Sequence, residues 1–262
     1  MTATPPSGFH VEVADGIAVV TIDRPKANAI DAATSAAMGE VFVGFEHDPS
    51  VRVAIITGAG ERFFSAGWDL GAAAEGEAFD ADYGAGGFGG FPDLPGRRVP
   101  VIAAVNGMAV GGGFEIALAA DLIVAAEHAQ FFLPEAGLGI LPDAGSVRLP
   151  RLLPAHIARE MLLTGRRMGA AEAAQHGVVN RVVAAADLLA AARELAAAIV
   201  RSAPLSVVAI LDIGRRTAQM DVIEAMAAIK GFESYRIAIE SQDATEGNLS
   251  FTEKRPPVWK GS

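Results

Sequence analysis

Cysteine is missing altogether from the 262 residues. Its absence excludes disulfides, thiolate nucleophiles and cysteine metal ligands, and it fits a reducing, cytoplasmic setting. Positive charge is scarce as well: 21 Lys and Arg stand against 31 Asp and Glu, a net charge of −10. Nucleic-acid binding needs a basic footprint, so that class of function is disfavoured. A phosphate-bearing ligand would need local lysines or arginines to offset the long-range repulsion. No run approaches the ~18 uninterrupted apolar residues of a membrane span. Met1-Thr-Ala-Thr-Pro-Pro-Ser-Gly8 has neither a basic nor an apolar region and reads as a frayed start, not a secretory signal. His10, His47, His128, His156 and His176 show no zinc-ligand spacing. Ser65 lacks the preceding glycine of a nucleophile elbow. Nucleotide fingerprints fail too. Ile116 stands where a dinucleotide motif opening at Gly111 needs glycine, and Gly113 where a phosphate loop opening at Gly107 needs lysine.

What remains is abundant apolar material, with 51% hydrophobic and 20% charged residues, enough for a sizeable core. Phe9–Val13 and Ile17–Ile22 flank Asp15-Gly16, a two-residue hairpin signal. Asp31 is placed to cap an amphipathic helix ending near His47. Val53–Thr57, Val101–Val105, the run after Asp121 and Gln130–Leu133 read as buried strands, and glycine turns lie between several of them. Strand, glycine turn and helix in repetition predict an α/β architecture. From about residue 150 the pattern is helical, clearest over 185–200 and 222–239. The glycine-rich stretch 71–98 is expected to be either disordered or a mobile lid.

Two glutamates carry the chemistry. Glu115 follows Gly111-Gly112-Gly113-Phe114, and Glu135 sits in Pro134-Glu135-Ala-Gly-Leu-Gly139. A carboxylate in an apolar stretch costs several kcal/mol to bury without partners. Two in neighbouring apolar segments suggest a general acid–base pair. The glycine run opens a predicted helix straight after a strand. Its free N–H groups favour an anion or a developing oxyanion, although glycine also permits close helix–strand packing.

Four ordered segments then combine: Arg24-Pro-Lys-Ala-Asn-Ala-Ile30, Phe64-Ser-Ala-Gly-Trp-Asp69, Ala104–Glu115 with its triple glycine, and Pro134–Gly139. Together with the tail Glu246–Gly261, they resemble the crotonase (enoyl-CoA hydratase/isomerase) superfamily over essentially the whole chain. Asp23–Asp31, Arg52–Glu61, Ala72–Ala78 and Thr164–Gly169 are most similar to its carnitinyl-CoA-dehydrating subgroup.

The resemblance implies a spiral of ββα units over 1–198 and a helical trimerisation region over 199–262, assembled as a trimer or hexamer. It implies an acyl-CoA thioester substrate, with coenzyme A as part of that substrate and no separate cofactor, metal, nucleic acid or membrane. By position, the Trp68 and Gly112 N–H groups would hold the thioester oxygen. Glu135 would take the α-proton and Glu115 would serve the β-hydroxyl. Lys26 would lie near the CoA 3′-phosphate, Ala66 near the adenine, and Lys254 near a phosphate, with Asp69, Leu70 and Pro134 beside the ligand. For a cationic acyl group, Trp68, Phe88, Phe91 and Phe132 are candidate aromatics and Asp143 a candidate carboxylate. Ser146 stands where the family usually has a second glycine, in a segment that shapes the acyl pocket. A rival reading, a catalytically silent member that binds RNA, is disfavoured by the acidic balance and the intact glutamate pair.

Overall fold

The Asp15-Gly16 turn folds as expected. β1 (Phe9–Ala14) pairs antiparallel with β2 (Ile17–Ile22) to start the larger of two sheets. The computed structural model describes residues 8–262, so the frayed start expected for residues 1–7 lies outside them. α1 (Ala32–His47) begins where Asp31 accepts the Thr34 N–H at 2.7 Å, capping an otherwise unpaired donor of the first turn.

The chain then alternates between sheets. β3 (Val53–Gly58) joins the first sheet and β4 (Phe63–Ser65) the second, and the short α2 (Leu70–Ala74) opens the long connection. β5 (Val101–Val105) returns to the first sheet, β6 (Met108–Val110) goes to the second, and α3 (Gly112–Ala119) closes the unit. β7 (Leu122–Ala126) and β8 (Gln130–Phe132) repeat the step. After α4 (Asp143–Leu152) and α5 (Ala155–Thr164), β9 (Met168–Gly169) completes the second sheet. Past α6 (Ala170–Gln175), β10 (Arg181–Val183) completes the first. The orders are β1-β2-β3-β5-β7-β10 and β4-β6-β8-β9. Each turn of chain thus contributes a strand to each sheet, which is the spiral of ββα units.

The first sheet is buried on both faces, and strand alternation divides its residues between two cores. Ala54, Ile56, Ala103 and Val105 face one side, with Phe42, Phe114 and Phe131. Ile55, Ile102, Ala104 and Val124 face the other, under α7 (Leu188–Val200), through Leu188, Ala192 and Ala196. The helices α8 (Pro204–Thr217), α9 (Val222–Ala228), α10 (Glu233–Glu240) and α11 (Gln242–Glu253) follow.

Two expectations need correction. The second half is not wholly helical, because Arg181–Val183 pairs parallel with Val124–Ala126. Three residues are too few for periodicity to expose a strand. The helical pattern over 222–239 is two helices, broken at a 3-10 turn over Ile229–Gly231 and at the extended Phe232. Within the stretch 71–98, Phe91 is buried on Phe42 at 4.9 Å between ring centroids. The Ser35 hydroxyl donates to Gly87 O and accepts from Gly89 N. Among the described residues, no single helix is long and apolar enough to cross a membrane.

Candidate active site

Residues 24–31 and 64–69 lie side by side. Ala66 N donates to Ala27 O, Ile30 N to Gly67 O, and Asp69 N to Ile30 O. The Ser65 hydroxyl donates to Asn28 O at 2.7 Å and accepts from Gly67 N at 3.0 Å. Lys26 and Asn28 both adopt left-handed backbone conformations, and the Asn28 side-chain amide donates to Ala59 O and Phe63 O. Arg24 ion-pairs with Asp31 and Asp69. This brings four predicted residues, Lys26, Ala66, Asp69 and Leu70, to one edge, with Lys26 and Leu70 exposed. Lys254 stands apart at the left-handed C-cap of α11, with no hydrogen bond or ion pair to that edge among the described residues.

The same zipper delivers Gly67 to the glycine run. Gly67 has φ +80°, and a Cβ there would sit 2.6 Å from Gly112 N, so only glycine lets the two backbones meet. Gly112 is the first residue of α3, whose opening N–H groups have no intrahelical acceptor. Trp68 bridges Ile30 through its neighbours' backbone groups, and its own N–H has no acceptor among the described residues. Two unsatisfied donors are thereby brought to adjoining segments. The positive end of α3 adds to an environment suited to a developing negative charge.

Both glutamates sit beside this feature. Glu115 lies in the first turn of α3, and its Oε1 accepts the Gly145 N–H at 2.6 Å from the start of α4. Burial pushes it up to about 7, against the lowering by that hydrogen bond; Asp143 and Glu135 raise it further. Burial outweighs that hydrogen bond and the Arg148 charge here. Glu135 opens a 3-10 turn after Pro134 and is only 7% exposed. Its Oε2 is the one buried side-chain polar atom without a partner among the described residues. Its Oε1 comes 2.6 Å from where a Cβ on Gly111 would stand, so the glycine run makes room for the carboxylate. Burial and then Asp143 raise its pKa too. A buried carboxylate with a free oxygen and a raised pKa is a stronger base than an exposed one and can exchange a proton with a ligand.

The candidate acyl-pocket residues divide. Phe91 belongs to the core, with Arg97 over its ring, and the face of the buried Phe132 is taken by Arg167 at 4.6 Å. Trp68 and Phe88 remain half-buried, and Asp143 is exposed at the start of α4. A Cβ on Gly145 would press on the Leu133 side chain at 2.9 Å and on Glu115 Oε1 at 3.2 Å, so glycine there leaves the carboxylate its place, whereas Ser146 is exposed. Sequence reasoning gave no role to Glu77 or Tyr83. Glu77 accepts from the Trp68 indole at 2.7 Å and from Ala32 N at 3.0 Å. A charged or aromatic residue in a glycine-rich loop was the available signal for both.

Known proteins share this arrangement of chain. The enoyl-CoA hydratase/isomerase family model matches residues 12–262. A carnitinyl-CoA dehydratase of Escherichia coli (strain SMS-3-5 / SECEC) is 60% identical over 256 residues, covering 97% of this chain and 98% of the relative. One from Salmonella enteritidis is also 60% identical, with the same coverage. The crystal structure of an enoyl-CoA hydratase from Mycobacterium tuberculosis superposes with a TM-score of 0.90 at 38% identity, over 99% of this chain and 100% of the other. With its spiral of paired strands and a family match over nearly its whole length, the chain belongs to the enoyl-CoA hydratase/isomerase (crotonase) family.

Proposed function

We propose that the protein is a hydro-lyase that reversibly dehydrates L-carnitinyl-CoA to crotonobetainyl-CoA. The observation that carries the reaction type is the glutamate pair, Glu135 buried and Glu115 half-buried, both with raised pKa, beside the free N–H groups of Trp68 and Gly112. The substrate is suggested by the carnitinyl-CoA dehydratases at 60% identity.

In the dehydration direction the thioester oxygen accepts from the Trp68 and Gly112 amides, which stabilise the enolate-like charge as the α C–H bond breaks. Glu135 receives the α-proton. Glu115, protonated, gives its proton to the β-hydroxyl, the C–O bond breaks, water leaves and the α,β double bond forms. Hydration reverses each transfer. Lys26 and Ala66 meet the nucleotide end of coenzyme A, and Lys254 reaches a phosphate across a subunit boundary. Self-association as a trimer or hexamer is supported by apolar side chains left exposed on the C-terminal helices, among them Ile223 at 84% and Phe251 at 87%.

Comparing kcat/KM for crotonobetainyl-CoA and crotonyl-CoA tests the substrate. Preference for the betainyl thioester is expected. A strong preference for crotonyl-CoA would instead make the protein an ordinary short-chain enoyl-CoA hydratase.

A further inference from the structure

Two aromatic pairs, joined by one hydrogen bond, lie between the two amides of the site. Phe79 stands edge-on to Trp68 with ring centroids 5.5 Å apart, and the Tyr83 hydroxyl donates to Phe79 O at 2.9 Å. Tyr83 stands edge-on to Phe88 at 5.2 Å, and Phe88 lies against Gly112, where a Cβ would come 2.6 Å from its ring. The rings therefore begin at one unpaired backbone donor and end at the other. Three of the four come from the 71–98 connection.

The surrounding charge is of one sign. Glu77 binds the Trp68 indole. Burial first, and then the fields of Glu77, Asp143 and Asp80, push the Tyr83 hydroxyl up to about 12, and no cation offsets them. Asp143 also acts on both Glu115 and Glu135, so its field reaches the two carboxylates as well as Tyr83. Arg148, the cation that reaches Glu115, is engaged by Pro92 O at 2.8 Å and stands 3.8 Å from Asp93.

We propose, resting on the function above, that Trp68, Tyr83 and Phe88, in the field of Glu77 and Asp143, form the subsite for the trimethylammonium group and set acyl specificity. That group is one methylene beyond the β-carbon on which Glu115 acts. It has no N–H to donate, so hydrogen-bond acceptors alone hold it poorly. It gains from aromatic faces and from a negative field. A primary ammonium would demand acceptors pointed at each proton, and a neutral acyl chain would gain nothing from the carboxylates.

The test compares crotonobetainyl-CoA with its neutral isostere, in which a tert-butyl carbon replaces the quaternary nitrogen, as a ratio of kcat/KM. In Tyr83→Leu, Glu77→Gln and Asp143→Asn this ratio is expected to fall about tenfold or less for each variant, the span of a cation–π or partly screened charge interaction. Asp143 is exposed, so its variant keeps the test open if the others fail to fold. An unchanged ratio in all soluble variants overturns the subsite. A wild-type ratio near unity also overturns the subsite, whereas the carnitinyl assignment falls only to a strong preference for crotonyl-CoA, which separates the two failures.

Discussion

Gly111-Gly112-Gly113 and Gly84-Ala-Gly-Gly-Phe-Gly-Gly-Phe91 share a composition, yet the molecule uses them differently. The first lies at a helix N-terminus fixed by two sheets, and its missing side chains leave N–H groups and a carboxylate room to face a ligand. The second sits between elements, and its missing side chains let the connection pack against α1. A Cβ at Gly90, with φ +89°, would come 2.7 Å from Gly39 N. One segment presents backbone to a substrate, the other hides backbone against a helix. Glycine content therefore indicates close approach, and only the neighbouring elements decide what approaches.

Substitutions separate the two uses. The largest effect is expected at the carboxylates that the first segment accommodates. Glu135→Gln and Glu115→Gln should each lower kcat about 10²–10⁴-fold with an unchanged thermal melt profile at low pH. Full activity in either would remove that residue from the mechanism. Next, Gly67→Ala drives a Cβ toward Gly112 N and should cost about 10²–10³-fold in kcat, the span of a lost oxyanion donor, measured by steady-state kinetics. A loss confined to KM would instead mean that the close approach serves binding.

A stability effect of the opposite sign follows from Glu115. Its folded pKa of about 7 exceeds the ordinary 4.5, so the folded state holds the extra proton between those values. That contribution is fully present below 4.5 and is lost as pH rises through about 7. The stability of wild type relative to Glu115→Gln should thus fall by on the order of 3 kcal/mol across that window, read from denaturant melts at both ends. Dehydration activity, which needs Glu115 protonated, should decline over the same upper limb.

The second segment gives smaller effects. Gly90→Ala should destabilise by about 2 kcal/mol through clash and strain, with Tm falling while kcat on bound substrate changes little. Ser35→Ala, which removes both hydroxyl bonds to Gly87 and Gly89, should cost about 1 kcal/mol and raise KM more than it lowers kcat. If either variant damaged kcat as much as Gly67→Ala does, the division between the two glycine segments would fail.

Much of this was legible beforehand, for identifiable reasons. The hairpin at Asp15-Gly16, the Asp31 cap and the buried strands Val53–Gly58 and Val101–Val105 are local signals, written in turn chemistry and in runs of β-branched residues. β10 and β9 were not legible, being three and two residues long and defined only by their partners β7 and β8. The break at Gly231-Phe232 carried only a weak signal, the single Gly231, because helical spacing of apolar residues resumes on both sides of it.

Sequence by itself determined the family, the two carboxylates and the glycines beside them, because those are residue identities in a fixed order. Only the tertiary structure decided that Glu135 keeps an unpaired buried oxygen, that Gly67 reaches Gly112, and that Phe91 and Phe132 are already occupied while Tyr83 and Glu77 stand by Trp68. Desolvation, close approach and the sharing of an aromatic face depend on neighbours far along the chain, and no local pattern records them.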